Sequence, residues 1–338
     1  MMSQPPLPGF VDPVRVAMER GGLAESTHKR YRHAGASWKT YCGDRGIDAA
    51  GANEETLCRW LDARSKGREL ASVYSSLSAA RHVQRQELIA SPRPVVPYTR
   101  GAMPGLDNWL SALERERGVA SSNAAAPITH AELTRMMRAL GRRGSISRRA
   151  VNTERAFALA QRDACLLSFG WWGLFRRSEL AALTIEDVNE TVTRDGLPVV
   201  IVRVTRSKTD QKGKGHTVAM CETQDATCPV AAYHRWRAVR VPEDAPREDD
   251  RRFFLLKGDG VADVVRRSAR LVGLARSAHG LRHGFAAEAA SLGLDSGAAM
   301  RHGRWQSWAA YARYLEGAEV VGAGHVTALL ARKLRGER

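Results

Sequence analysis

Cysteine is scarce in this chain, with five residues in 338, an odd number containing no Cys-x-x-Cys pair. That excludes a disulfide framework, and Cys42, Cys58, Cys165, Cys221 and Cys228 read as reduced thiols of a cytosol. A zinc site drawn from Cys221, Cys228, His216 and His234 fits no common ligand spacing, so no metal and no cofactor is expected. Nowhere does the chain run for about 18 apolar residues, the length a membrane helix needs. Its start, Met1-Met-Ser-Gln-Pro-Pro-Leu-Pro8, has no basic region followed by an apolar stretch. Neither secretion nor membrane spanning is expected. Acidic residues are the other shortage: 36 Asp and Glu face 52 Lys and Arg, a formal net charge of +16. A surplus of that size suits a protein that neutralises backbone phosphates. RNA or a membrane surface would want such a charge too. The basic residues are spread through helical segments rather than gathered in a tail, which points to a folded, DNA-embracing surface.

The organisation follows from periodicity and punctuation. A length of 338 residues exceeds one typical core, so two domains are expected. After a Pro-rich lead-in over residues 1–24, expected to be flexible, helical apolar spacing covers Ser26 to Cys42, Glu54 to Ser65, Glu69 to Glu87 and Pro104 to Arg117. This predicts an all-helical module over residues 25–117. Small and polar residues from Gly118 to Pro127 read as a linker, placed at 118–128. Thr129-His-Ala-Glu132 has the form of a capping box, which starts a second domain spanning 129–317. Within it a helical run from Val151 reaches Trp172, Val199–Thr205 and Thr217–Met220 make a hairpin, and the chain from Gly260 onward is mostly helical. No internal repeat is visible. The fold class is therefore mainly α with a small β-hairpin or sheet, in two domains.

Three stretches carry the chemistry: Leu174-Phe-Arg176-Arg177-Ser-Glu179-Leu180, then His279-Gly-Leu-Arg282-His283, then Gly303-Arg-Trp305 followed by Tyr311 and Tyr314. They offer guanidiniums, imidazoles and phenols, with no acidic or Cys/His cluster beside them to hold a metal. Attack by a tyrosine on a phosphodiester needs this inventory: cationic donors for the developing charge, a nucleophile in line, and an acid for the departing alkoxide. Arginine adds the planar fork that grips two phosphate oxygens at once.

With these motifs the chain resembles the tyrosine site-specific recombinases, or phage integrase family, and its spacings look most like the Cre-type members. Arg176 followed three residues later by Glu179 matches the first family motif, and His279 with Arg282 matches His-x-x-Arg. Trp305 matches the position nine residues before the nucleophile, which makes Tyr314 the match and leaves Tyr311 out of register. The family's hairpin lysine corresponds to Lys208, although Lys212 and Lys214 share the same hairpin. The resemblance covers roughly the last two thirds of the chain by motif.

The resemblance implies a C-shaped clamp of a helical core-binding domain and an α+β catalytic domain around double-stranded DNA. It implies cutting and rejoining through a covalent 3′-phosphotyrosyl intermediate on short inverted-repeat sites. Tyr314 would attack, Arg176 and Arg282 would stabilise the pentacoordinate charge, Lys208 would protonate the leaving 5′ oxygen, and His279 and Trp305 would position and donate. Glu179 and His283 would support them. DNA contacts are expected from Lys29, Arg30, Lys39, Ser75 and Arg81 in the first module, with Arg32, His33 and Ser76 beside them. Arg266, Arg267 and Arg270 are expected on a helix that enters a groove, with Arg276 just beyond. The family exchanges strands as a homotetramer on two sites. Here Val326, Leu329, Leu330 and Leu334 form an apolar stripe in residues 318–338 that would dock on a neighbour or fold back on its own domain. A cytoplasmic, nucleoid-associated protein encoded by a bacterium, phage or plasmid is implied. Two other readings remain open: a type IB topoisomerase-like enzyme using the same roles, and a catalytically silent DNA-binding regulator.

Overall fold

The structure, a computed structural model, describes residues 25–117, 125–147, 153–205, 215–240 and 251–315. The chain divides into two compact units, Met1–Ser122 and Asn123–Arg338. Among the described residues no helix is long and apolar enough to cross a membrane.

The first unit is built from α1 (Glu25–Gly43), α2 (Glu54–Ser65), α3 (Leu70–Ala90) and α4 (Pro104–Arg117). Local chemistry sets the start of α2: the Asn53 side chain accepts from Thr56 N at 2.9 Å, and Glu54 and Glu55 sit in the first turn against the helix dipole. Its apolar positions, Leu57, Trp60 and Leu61, follow helical spacing and are buried. They meet Trp38 of α1, whose ring centroid lies 5.0 Å from that of Trp60 and 5.9 Å from that of Tyr98. Truncating a fully buried aromatic of this kind costs about 3–5 kcal/mol. The polar atoms around this aromatic core are paired. Trp38 Nε1 and the Tyr98 hydroxyl both donate to Ala49 O, and the Gln84 amide donates to Ala50 O and Val96 O. An unpaired group at that depth would oppose folding.

The second unit opens with α5 (His130–Ser147), capped reciprocally by Thr129 and Glu132 across two 3.2 Å hydrogen bonds. Then come α6 (Thr153–Trp172), α7 (Arg177–Ala182), a 3-10 turn (Ile185–Asp187), β1 (Val188–Val192), β2 (Pro198–Val204), β3 (His216–Cys221), α8 (Pro229–Arg240), α9 (Gly258–Arg270), α10 (Ala278–Ser291), α11 (Ser296–Gly303) and α12 (Trp308–Ala312). The strands form one antiparallel sheet in the order β1-β2-β3. The sequence predicts the pair that became β2 and β3, because Val200, Val202 and Val204 alternate inward with Val218 and Met220 opposite. It gives no sign of β1, which buries only Val188 and so carries no alternation. Helix α6 runs through the core with Cys165, Leu166, Leu167, Phe169 and Trp171 buried, packed by α5, α8 and α10.

One contact fixes α10, the helix that carries the second motif. Residues 125–128 lie across it as a strap: Ile128 N donates to Gly280 O at 2.8 Å, Trp171 Nε1 donates to Ile128 O at 2.9 Å, and His283 Nδ1 donates to Ala125 O at 2.6 Å. The strap seats where α10 has no side chain. A Cβ on Gly284 would stand 1.8 Å from Ile128 O. Gly284→Ala is therefore expected to destabilise the second unit by about 1–3 kcal/mol through overpacking. Gly141→Ala, in α5 with nothing within 4 Å of the added carbon, should stabilise it by about 0.5–1 kcal/mol. Urea denaturation of both variants checks the opposite signs, and equal shifts would remove the strap from the account.

Candidate active site

The short helix α7 starts from an arginine whose backbone is extended, Arg176 at φ −73° and ψ 153°. Three residues on, Glu179 turns back: Oε2 accepts from Arg176 N at 2.9 Å and Oε1 from Arg176 Nη1 at 2.7 Å. The Arg-x-x-Glu spacing is thus a cap in which the carboxylate both starts the helix and aims the guanidinium. Glu179 is buried. Burial raises its pKa, but the charge of Arg304 and then the bonds and charge of Arg176 outweigh this and hold the carboxyl below its ordinary value.

Helix α10 places His279 and Arg282 one turn apart on one face. Arg282 is 1% exposed. Its Nη1 donates to Leu174 O at 2.5 Å, its Nη2 donates to Gly303 O, and its plane lies over the Trp305 ring at 4.0 Å from the centroid. Burial, then the neighbouring charge of Arg176, lowers its pKa to about 10, which leaves it a cation at neutral pH. Its Nε and the Trp305 Nε1 are both buried without a partner among the described residues. Trp305 reaches this position over Gly303, where a Cβ would collide with the indole at 1.8 Å.

The phenol of Tyr314 meets His279 Nε2 at 3.0 Å and faces the Trp305 ring at 4.9 Å between centroids. His283 closes the other side of Tyr314 with an edge-on ring at 5.5 Å. Tyr311, one turn earlier, is instead buried between Trp305 and Trp308. Although much of His279 is exposed, packing around its ring and then the positive charges of Arg282, His283 and Arg176 push its pKa from 6.5 down to about 4. At neutral pH this imidazole is uncharged, and in its Nδ1–H tautomer Nε2 is free to accept the phenolic proton. The arrangement provides cationic donors, a phenol, and a neutral base for that phenol.

Arg176, Glu179, His279, Arg282, His283, Trp305 and Tyr314 are thus brought together, and the other expected residues among those described are not. Arg177 faces outward toward Asp259 at 3.6 Å. On α9, Arg266, Arg267 and Arg270 are exposed opposite buried Val261, Val264, Val265 and Ala269; Arg266 pairs with Asp263, and Arg267 lies 3.7 Å from Asp163. Arg276 is tied to Glu132 at 2.6 Å. In the first unit Lys29, Arg30, Arg32 and His33 are exposed on α1, and Lys39 pairs with Glu87. Ser75 is half-buried. Arg81 is half-buried as well and donates through Nε to Tyr98 O. Ser76 points inward: it is buried, its hydroxyl donating to Ser72 O and accepting from Arg64, so it is no surface contact. Cys228 and His234 turn to different partners, backbone N–H groups and Glu190 respectively. Lys208, with Lys212 and Lys214, and the stripe Val326, Leu329, Leu330 and Leu334 lie outside the described residues.

Two groups escaped the sequence reading. Arg304, between Gly303 and Trp305, is 7% exposed and reaches Glu179 Oε2 at 2.9 Å. His302 donates from Nε2 to Trp172 O at 2.7 Å. Neither belongs to an apolar period or a ligand spacing that would have flagged it.

No protein-family model matches the chain. Among known proteins it is similar to an integrase/recombinase xerD homolog of Selenomonas ruminantium, 28% identical over 307 residues that cover 87% of this chain and 82% of the relative. Its structure is similar to that of the XerH site-specific recombinase bound to a palindromic difH substrate in a post-cleavage complex, with a TM-score of 0.57, 15% identity and coverage of 84% of this chain and 72% of that one. It is also similar to a lambda integrase dimer bound to a COC′ core site, with a TM-score of 0.53, 14% identity and coverage of 91% and 82%. At these identities the solved structures speak for the fold alone.

The site generates a titration. The His279 ring, followed by NMR in the DNA-free protein, should stay neutral until about pH 4, against an ordinary value near 6.5. Because the folded value is the lower one, the unfolded chain binds the extra proton first, and this residue withdraws stability as pH falls from 6.5 toward 4. His279→Asn should flatten that part of the stability profile. A ring titrating near 6.5 would contradict the crowding by Arg282, His283 and Arg176.

Proposed function

We propose that the chain, similar to an integrase/recombinase xerD homolog and carrying the motif series described above, is a tyrosine site-specific recombinase that cuts and rejoins double-stranded DNA at specific sites through a covalent 3′-phosphotyrosyl intermediate. The observation that carries this reading is the Tyr314 hydroxyl 3.0 Å from a neutral His279, beside the buried cation of Arg282. A nucleophile, its base and a phosphate-binding guanidinium occupy one pocket.

Tyr314 Oη attacks the scissile phosphorus while its proton passes to His279 Nε2, and the bond from phosphorus to the 5′ oxygen breaks. Negative charge grows on the non-bridging oxygens in the transition state. Arg176, partly exposed and aimed by Glu179, and the remaining N–H groups of Arg282 meet it, and the partnerless Trp305 Nε1 supplies a neutral donor. Lys208 delivers the proton to the departing 5′ oxygen. Its place between β2 and β3 in the chain supports that role. The products are a 3′-phosphotyrosine and a free 5′ hydroxyl, and the attack of a 5′ hydroxyl from a second duplex reverses the step with exchange. Since the phosphodiester energy stays in the tyrosyl link, no nucleotide is consumed. His279 thus takes a different part from the positioning and donating one that the family spacing implies: it receives a proton first.

Around this centre, the exposed basic residues of α9, and those of α1 in the first unit, would hold the DNA backbone over a short inverted repeat. Exchange between two duplexes calls for four protomers, and the 318–338 segment is the proposed connector.

The test is a covalent-adduct assay on nicked duplexes selected for binding from random sequence. Wild type should give a protein–DNA band that survives denaturation. Tyr314→Phe should abolish the band and leave binding intact, and Tyr311→Phe should retain cleavage. Failure of wild type to form any adduct would make the protein a silent DNA binder. Arg282→Ala should lower the cleavage rate by about 10²-fold or more, on the scale of losing one donor to a developing oxyanion, with binding much less affected. Equal losses in both would reduce Arg282 to an ordinary backbone contact.

A further inference from the structure

We propose that Arg304 is a positioning residue for the two phosphate-gripping arginines, holding Arg176 through the Glu179 carboxylate and Arg282 through the Leu174 carbonyl. This rests on the recombinase reading above and extends it to a residue that touches no DNA.

The geometry is specific. Arg304 Nη2 bridges Glu179 Oε2 at 2.9 Å and Leu174 O at 3.0 Å, and Nη1 bridges Gly173 O and His302 O, each at 3.2 Å. Leu174 O is shared with Arg282 Nη1, and Gly303 O, beside Arg304 in the chain, takes Arg282 Nη2. One guanidinium therefore joins the Arg176 turn, the Arg282 side chain and the turn that carries Trp305. The backbone adds a second, independent sign. Arg304 ends α11 in the left-handed region at φ +59° and Leu174 sits there at +48°, conformations that favour glycine. A bulky residue kept in such a position is held by what its side chain does.

The need for charge follows from Glu179. Its side chain is wholly buried, and of its two cationic partners only Arg176, with 18% of its side chain exposed, is open to a phosphate. When a phosphate draws on Arg176, a buried carboxylate with no other partner would compete for the same guanidinium. Arg304 supplies that other partner. Glu179 then stays ionised and orients Arg176 without withholding it.

The experiment measures single-turnover cleavage at saturating DNA, DNA affinity, and the pH dependence of the rate for three variants. Arg304→Gly suits the left-handed turn and deletes only the side chain; Arg304→Lys keeps the charge without the fork; Glu179→Gln/Arg304→Gly removes both ions. Arg304→Gly is expected to cut about 10²-fold more slowly, with DNA affinity little changed. Its rate should fall further as pH is lowered, as the singly paired Glu179 takes up a proton more readily, a step absent from wild type and from the double variant over the same range. Ethylguanidinium added to Arg304→Gly should restore part of the rate. Arg304→Lys should be slow but keep the wild-type pH profile. A folded Arg304→Gly that cuts at the wild-type rate, or that is slow with neither a new pH step nor rescue, overturns the proposal. If Arg304→Gly does not fold, Arg304→Lys decides: a wild-type rate, or a changed pH profile, rejects it. Absence of adduct from wild type would sink the recombinase reading instead. In that case inorganic phosphate is the probe, and equal affinity of wild type and Arg304→Gly for it rejects the positioning role.

Discussion

A buried carboxylate shared by two arginines is the constraint on which the rest of this site depends. Glu179 has no exposed side-chain surface and accepts from Arg176 on one oxygen and from Arg304 on the other. Taking an ion into a protein interior is tolerated only when the pairing is complete, and removing one partner leaves a charge that neither water nor protein answers. The positions of the Arg176 turn and of the loop ahead of Trp305 are thus tied to a single group. Arg282 joins the same frame through Leu174 O and Gly303 O. Three motifs, the first more than a hundred residues from the other two in the chain, share one set of hydrogen bonds.

That frame is strongly positive, and the positive charge does two jobs. In the proposed reaction it would draw in a phosphodiester, and it adds to the burial that keeps His279 uncharged, because Arg282, His283 and Arg176 disfavour a further proton on a ring already crowded by its neighbours. A base suited to a phenol is obtained without an acidic residue near the phosphate, where a carboxylate would repel the substrate. The one carboxylate present, Glu179, lies behind the arginines with its charge answered. The cation face of Arg282 rests on Trp305, an aromatic surface that adds attraction without adding negative charge.

Support from outside the pocket is equally physical. The 125–128 strap crosses α10 where Gly280 and Gly284 leave room for its backbone, and it holds His283 by a hydrogen bond to Ala125 O. His283 in turn presents its ring edge to Tyr314. A shift of the strap would be felt at the nucleophile through a single intervening side chain. The first unit relies on a different device, an aromatic core of Trp38, Trp60 and Tyr98 in which Trp38 and Tyr98 bond the backbone around Ala49 and Ala52 and Trp60 Nε1 donates to Ser37 Oγ.

Much of this was legible in the chain. Helices such as Pro104–Arg117 and Glu54–Ser65 announce themselves because burying one face imposes a 3.6-residue period, and the cap at Thr129 is spelled by its residue types. The candidate site residues Arg176, His279, Arg282, Trp305 and Tyr314 form a recognisable series because groups carried on helices keep fixed spacings. Strand β1 was not legible, since four of its five residues face solvent, and Ser76 was misread as a contact because helical spacing does not say which polar residue turns inward. The sequence by itself determined which groups exist and which local elements carry them, since capping, turns and periodicity act over a few residues. Tertiary structure alone decided that Leu174 and Arg304 turn left-handed, that Arg304 and Arg282 meet on one carbonyl, and that the phenol of Tyr314, already singled out by its spacing, lies against His279. Those outcomes depend on how buried charges and rings from distant segments satisfy one another once water is excluded, and no local pattern encodes that balance.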